Sequence, residues 1–205
     1  MPDAAREPGS PQIAAVLLAA GASTRLGQSK QLIQVAGESL LRRSARLAVE
    51  AGCAPVFVVL GFEAERMRTE LEGLKVQTVV NNEWKEGMGS SLRRGVAAAS
   101  QTQTHPAGVL VLVCDQLRLN LEHLSNLLDR HTHGAAPITA SLYAGKSGVP
   151  AVFAARLFPE LLAAEGDSGA RNLILQYGSR VQTLAWPDGA LDLDLPEQLA
   201  GLSAP

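Results

Sequence analysis

Six short apolar runs, rich in β-branched residues, recur along the chain at Ile13–Leu18, Val56–Leu60, Val76–Val80, Val109–Val113, Ile138–Leu142 and Ala151–Phe153. They show little alternation of apolar and polar residues, so strands made from them need cover on both faces, as parallel strands between helical layers do. Helical patterns fall between the runs. Ser39 can cap a helix in which Leu40, Leu41, Ala45 and Ala48 recur at 3.6-type spacing and which ends before Gly52. Glu63–Leu71, Ser91–Ala99 and Leu121–Arg130 read as three more. A β-α-β-α order of this kind predicts an α/β fold: a mostly parallel sheet, right-handed crossovers and ligands beyond the carboxyl ends of the strands.

Length and charge narrow the possibilities. The 205 residues predict one domain over 12–205, preceded by a flexible tail over 1–11. Eighteen Lys+Arg against 20 Asp+Glu leave a net charge of −2, so there is no global basic field for nucleic acid or an anionic membrane, and any phosphate site must be local. The run Ile13–Ala20 is too short to span a bilayer. The acidic balance of Asp3, Arg6 and Glu7 before it is the wrong sign for a secretory leader, so the expected location is the cytoplasm. Cys53 and Cys114 make neither a zinc site nor a disulfide framework and read as small core residues.

The residues after the first strand are unusual: Leu18-Ala19-Ala20-Gly21-Ala22-Ser23-Thr24-Arg25-Leu26-Gly27-Gln28-Ser29-Lys30. Small residues and glycines let backbone N–H groups approach a ligand, while Arg25 and Lys30 suit phosphate oxygens. An ordinary βα turn with two solvated cations has the same spacing. Gly27 is followed by Gln28, which excludes a Walker A loop, and Ser23 stands where a dinucleotide fingerprint needs glycine.

Asp115 directly follows the buried run Val109–Val113. A carboxylate there is costly unless paired, hydrated or bound to a metal, and its hard oxygens suit Mg²⁺; capping the next helix is the other reading. Asp192 and Asp194, two apart, face one side of an extended segment. Gly87-Met88-Gly89-Ser90-Ser91-Leu92 places flexible backbone and two hydroxyls at a helix start. Asp167 and Arg171 have the spacing of a helical ion pair. Trp84 is either a pocket wall or core packing, and His131-Thr132-His133 before Gly134 reads as a helix end rather than a metal site.

Six segments in order carry a resemblance: Leu18 to Lys30, Asn82 to Leu92, Cys114-Asp115-Gln116, Gly148 to Phe153, Gly166 to Arg171 and Asp192 to Glu197. Together they are similar to the MobA-like NTP transferase family, and within it to molybdenum cofactor cytidylyltransferases. The resemblance implies a three-layer α/β/α Rossmann-like nucleotidyltransferase fold and an enzyme that transfers CMP from CTP to molybdenum-bearing molybdopterin, releasing pyrophosphate. It implies catalytic roles for Arg25, Lys30 and Asp115. Nucleotide contacts fall to Leu18, Ala19, Ala20, Gly21, Ser23, Arg25, Lys30, Ser90 and Ser91. Gly148, Pro150, Asp167 and Arg171 line the acceptor site, and Asp115 with Asp194 holds Mg²⁺ as cofactor, leaving Asp192 to cap or stay solvated. The Ala19-Ala20-Gly21 wording resembles the cytidylyl branch, since guanylyl relatives show Ala-Gly-Gly. A molybdenum hydroxylase is the expected recipient of the product. The family usually has proline two residues after its first aspartate; here Leu117 stands there, which predicts a freer turn. The alternatives are transfer to another small phosphorylated acceptor, a catalytically silent nucleotide-binding protein and a Rossmann oxidoreductase.

Overall fold

The computed structural model describes residues 11–22 and 29–190. Its main sheet has the order β5-β4-β1-β6-β8-β7-β9. The strands are β1 (Ile13–Ala19), β4 (Val56–Leu60), β5 (Gln77–Val80), β6 (Gly108–Val113), β7 (Ile138–Tyr143), β8 (Lys146–Ala154) and β9 (Val181–Ala185). A small antiparallel ribbon, β2 (Gln34–Val35) with β3 (Glu38–Ser39), stands apart from it. Neighbours pair in parallel except around β8, which runs antiparallel to both β6 and β7. The sheet is therefore mostly parallel, with a single reversed strand among the described residues.

Every residue of β1 is buried, and its alternate side chains enter two cores. Ile13, Ala15 and Leu17 join the helices α1 (Leu40–Glu50), α2 (Ala64–Glu70) and α4 (Leu121–His133) on one face. Ala14, Val16 and Leu18 join α3 (Met88–Ser100), α5 (Phe158–Leu162) and α6 (Arg171–Tyr177) on the other. This is the three-layer α/β/α arrangement. Gly95 lets α3 lie close on β1, because a Cβ there would run into the Val16 side chain.

Several boundaries differ from the sequence reading. The run Ala151–Phe153 is the end of the longer reversed strand β8, since a buried run looks the same in either direction. Strand β9 and the ribbon β2–β3 carry too little apolar signal to stand out. Helix α1 begins where expected, with the Ser39 Oγ accepting from the Arg42 N–H at 3.3 Å. Helix α4 stops at Gly134, and its two histidines part company: His131 is buried against Thr139, whereas the exposed His133 faces Asp129. Cys53 and Cys114 are buried and are not joined in a disulfide.

Strands β4 and β5 lie to one side of β1 and β6 to the other, so the chain reverses its direction of winding between β1 and β6. In an open sheet of this kind the crevice beyond that point receives the ligand.

Candidate active site

The turn after β1 is held from behind. Gln31, itself buried, donates from Nε2 to the Ala19 carbonyl at 3.0 Å and to the Gly21 carbonyl at 2.6 Å. The Phe62 N–H takes the Ala20 carbonyl at 3.0 Å. Three successive carbonyls that would repel a phosphate are thereby turned to protein donors. Farther along, the Ser29 hydroxyl donates to Glu63 Oε2 at 2.6 Å, and this bond, assisted by Arg66, holds the Glu63 carboxyl below its usual range. Lys30 opens the short 3-10 turn Lys30–Leu32.

Asp115 arrives from the other side of the crevice, beyond β6. Its Oδ2 lies 3.4 Å from the Lys30 Nζ, across 85 positions of sequence, with both side chains partly exposed. The two charged residues are thus brought together across the crevice. Cys114 beside them does not join: burial first, then the Asp115 charge, pushes its thiol up and keeps it protonated. No group of three or more His, Cys, Asp or Glu suited to a metal occurs among the described residues. One accessible carboxylate fits a hard divalent ion that keeps several waters and takes its remaining ligands from phosphate. Ser23, Arg25 and Asp194, all expected here, lie outside the described residues.

A cavity of about 220 Å³ is linked to the residue after Asp115, because its lining residue Val149 accepts from Gln116. Leu18 from β1, Val111 from β6, Met88 from α3, and Tyr143, Lys146 and Gly148 from the β7–β8 hairpin line it, with Arg171 at the start of α6. Its far wall is an irregularity in the sheet. Ala140 pairs with Ala151 but Ser141 pairs with Gly148, so Val149 and Pro150 fall outside the ladder. Side chains take up their carbonyls instead. The Val149 oxygen accepts from Gln116 Nε2 at 2.9 Å and from the Tyr143 hydroxyl at 3.0 Å, and the Pro150 oxygen accepts from the Ser141 hydroxyl at 2.7 Å. The Ser141 proton being so used, its oxygen accepts from His123 Nε2 at 2.8 Å, which fixes a neutral tautomer. Burial pulls the His123 pKa down to about 4, and the ring stacks on Trp186 at 4.6 Å. Gly148 carries no Cβ because the Tyr143 hydroxyl occupies that space.

Of the four residues expected at an acceptor site, Gly148 and Arg171 line the cavity. Pro150 is buried behind its wall, and Asp167 lies exposed on the turn Gly166–Ser168 against Gly87. Asp167 and Arg171 do not share a helix: Gly169, at φ +51°, separates the turn from α6, so the helical ion-pair reading of their spacing fails. Ser90 and Ser91 sit in the first turns of α3, where both hydroxyls accept from the buried Asn81 amide at 2.9 and 3.0 Å. The Ser90 hydroxyl also reaches the Gly87 and Glu83 carbonyls, and so holds the preceding loop. Trp84 packs edge-on against Phe62 at 5.8 Å and against the α3 core.

Sequence reasoning missed Gln31, Gln116, Tyr143 and Arg43. Gln116 and Gln31 had the only available signal, a polar residue beside a candidate charge. Arg43 on α1 forks onto the Leu117 and Leu119 carbonyls, both at 2.7 Å. The turn after Asp115, expected to be freer without proline, is therefore tied down by an arginine.

Proteins of known sequence and structure are similar to this chain along most of its length. A protein of Paenarthrobacter nicotinovorans named nicotine blue oxidoreductase is 35% identical over 202 residues, covering 92% of this chain and 95% of that protein. The purine catabolism protein PucB of Bacillus subtilis (strain 168) is 29% identical over 201 residues, with the same shares covered. The crystal structure of Rv0371c from Mycobacterium tuberculosis H37Rv superimposes with a TM-score of 0.80 at 29% identity, over 94% of this chain and 98% of that one. The manganese complex of Rv0371c gives 0.73 at 27% identity over the same shares. The profile of the MobA-like NTP transferase domain matches residues 15–181, a span that runs from β1 through Lys30, Asp115 and Arg171 to the start of β9. The meeting of two strand ends around an ammonium and a carboxylate is thus set in a shared framework, and the chain belongs to the family of MobA-like NTP transferase domains.

Proposed function

We propose that this nucleotidyltransferase moves CMP from CTP to a phosphate of molybdenum-bearing molybdopterin and releases pyrophosphate. The observation that carries the reading is the convergence of Lys30 and Asp115 at 3.4 Å beyond the ends of β1 and β6. In-line displacement at phosphorus asks a protein for position and charge neutralisation, and these groups can supply both. The backbone from Leu18 to Gly21, with Ser23, lies along the nucleotide, and Ser90 and Ser91 shape the turn on its base side. Lys30 and Arg25 draw charge from the β- and γ-phosphates as pyrophosphate leaves. Asp115 and Asp194 are the residues to hold Mg²⁺, which when bound neutralises phosphate charge and orients the attacking oxygen. The manganese complex of Rv0371c supports a divalent ion in this role. An acceptor phosphate is already ionised near neutrality and needs no general base. It enters from the cavity side, where Gly148 and Arg171 meet it, with Pro150 and Asp167 backing them.

Pyrophosphate release measured with each of the four NTPs, against molybdopterin and against sugar phosphates, tests the assignment. CTP with molybdopterin is the expected best pair, and the absence of a CTP preference overturns the choice of base. Asp115→Ala and Asp194→Ala should each abolish turnover; undiminished turnover in both defeats the carboxylate pair. Binding of CTP with no turnover in the wild type identifies a silent nucleotide-binding protein. A second reading, a redox enzyme, is favoured by the name of the 35% identical Paenarthrobacter relative. Thermal protection by NAD(P)H but not by CTP supports it.

A further inference from the structure

We infer that Arg43 is a positioning residue for the Asp115 carboxylate, acting through the turn Gln116–Leu119. The Leu119 N–H donates to the Gln116 carbonyl at 3.1 Å, closing a four-residue turn directly after Asp115. Leu117 is its second residue, the position at which proline most favours such a turn by fixing φ in advance. Leucine fixes nothing there, and the constraint comes from outside. The Arg43 guanidinium, half-buried on α1, takes the Leu117 carbonyl with one nitrogen and the Leu119 carbonyl with the other, both at 2.7 Å. The Leu117 side chain settles against Ile33 and Leu40 on the same side. On the opposite side the Gln116 amide donates to the Val149 carbonyl in the cavity wall at 2.9 Å. The residues just past Asp115 are therefore gripped from two directions, and each grip has a separate origin in α1 and in the β7–β8 hairpin. The planar guanidinium presents its two nitrogens in a fixed fork, which a flexible ammonium on a lysine stem does not reproduce.

Residues that orient a metal-binding group without touching the metal commonly change its affinity by ten- to a hundredfold when removed. The inference rests on the reading of Asp115 as a metal ligand, and the test separates the two. Mn²⁺ binding to the protein in the presence of CTP is measured by electron paramagnetic resonance, alongside hydrogen exchange of the Leu119 amide. Arg43→Ala is expected to speed exchange at Leu119 and to weaken Mn²⁺ binding about tenfold. Arg43→Lys should resemble it, and covers the case in which the alanine variant does not fold. Adding Leu117→Pro to either should slow exchange again and restore most of the affinity. Faster exchange with Mn²⁺ affinity unchanged overturns the positioning role and leaves the bonds merely structural. Unchanged exchange overturns the brace itself. A loss of affinity that persists once Leu117→Pro has slowed the Leu119 amide shows that the effect does not run through the turn, and also overturns it. Failure of the wild type to bind Mn²⁺, or binding that survives Asp115→Ala, instead removes the metal-ligand reading of Asp115, and the positioning role falls with it.

Discussion

Lys30 and Asp115 meet at 3.4 Å with both side chains partly open to solvent, and ion pairs so placed add about 1 kcal/mol or less to stability. A positioned cation on a departing phosphate is worth far more to the reaction, on the order of a hundredfold or above in rate. Lys30→Met is therefore expected to cut kcat about a hundredfold while shifting the thermal midpoint by only a few degrees. Parallel kinetics and melting curves check this, and a rate loss matched by gross destabilisation would contradict it. Gly148 offers a second test. A methyl group there meets the Tyr143 hydroxyl and dislodges it from the Val149 carbonyl. Gly148→Ala should raise the acceptor KM and leave the nucleotide KM unchanged, as initial rates with each substrate varied in turn will reveal. Lys30 and Asp115 stood out in the sequence because a cation after a glycine-rich turn and a carboxylate after a buried strand are both anomalies of position. Gln31 and Arg43 were not legible. Their partners are backbone carbonyls, and a carbonyl leaves no mark in the sequence.

Among the elements, helix α1 shows how far local rules reach. Its start was fixed by Ser39, whose hydroxyl receives the Arg42 N–H, and Ser39→Ala should cost about 1 kcal/mol in denaturant melts. What the half-buried arginine flank of α1 does was hidden. Arg42 holds the Glu70 and Glu72 carbonyls at the end of α2, Arg43 the turn after Asp115, and Arg46 the Glu38 carboxylate, which stays below its usual range for that reason. Read as a pattern, these are only charges on a solvated face. The reversed direction of β8 was equally hidden. A fully buried strand has no polar edge to report which way it runs, and only the short hairpin turn at Ala144-Gly145 decides it.

For the whole molecule, the α/β class and the three layers followed from the order of buried runs and amphipathic stretches. The sequence pointed only to the carboxyl ends of the strands; the winding reversal between β1 and β6 is visible in the structure alone. The convergence of distant residues could not be read from spacing at all; the resemblance supplied it. Global stability carries one titration signature. His123 is held neutral in the folded protein, with a pKa of about 4 against the ordinary 6.5 that the unfolded chain recovers. The unfolded state therefore takes up the extra proton between these values, and stability is full above about pH 6.5 and declines as pH falls towards 4. The loss amounts to about 3 kcal/mol across that window. His123→Asn should flatten this part of the pH profile of unfolding free energy, and an equally steep profile in the variant would assign the slope to other groups.

The single reversed strand also divides labour within the molecule. Because β8 enters the sheet where β1 and β6 leave it, one end of the sheet is furnished by strand exits on the Lys30–Asp115 side and by a hairpin on the cavity side. Hairpins tolerate changes of length and sequence that a turn clasped to neighbouring strands does not. Descendants of such a chain could trade one client molecule for another by editing residues 143–148, without disturbing how the activated donor is gripped.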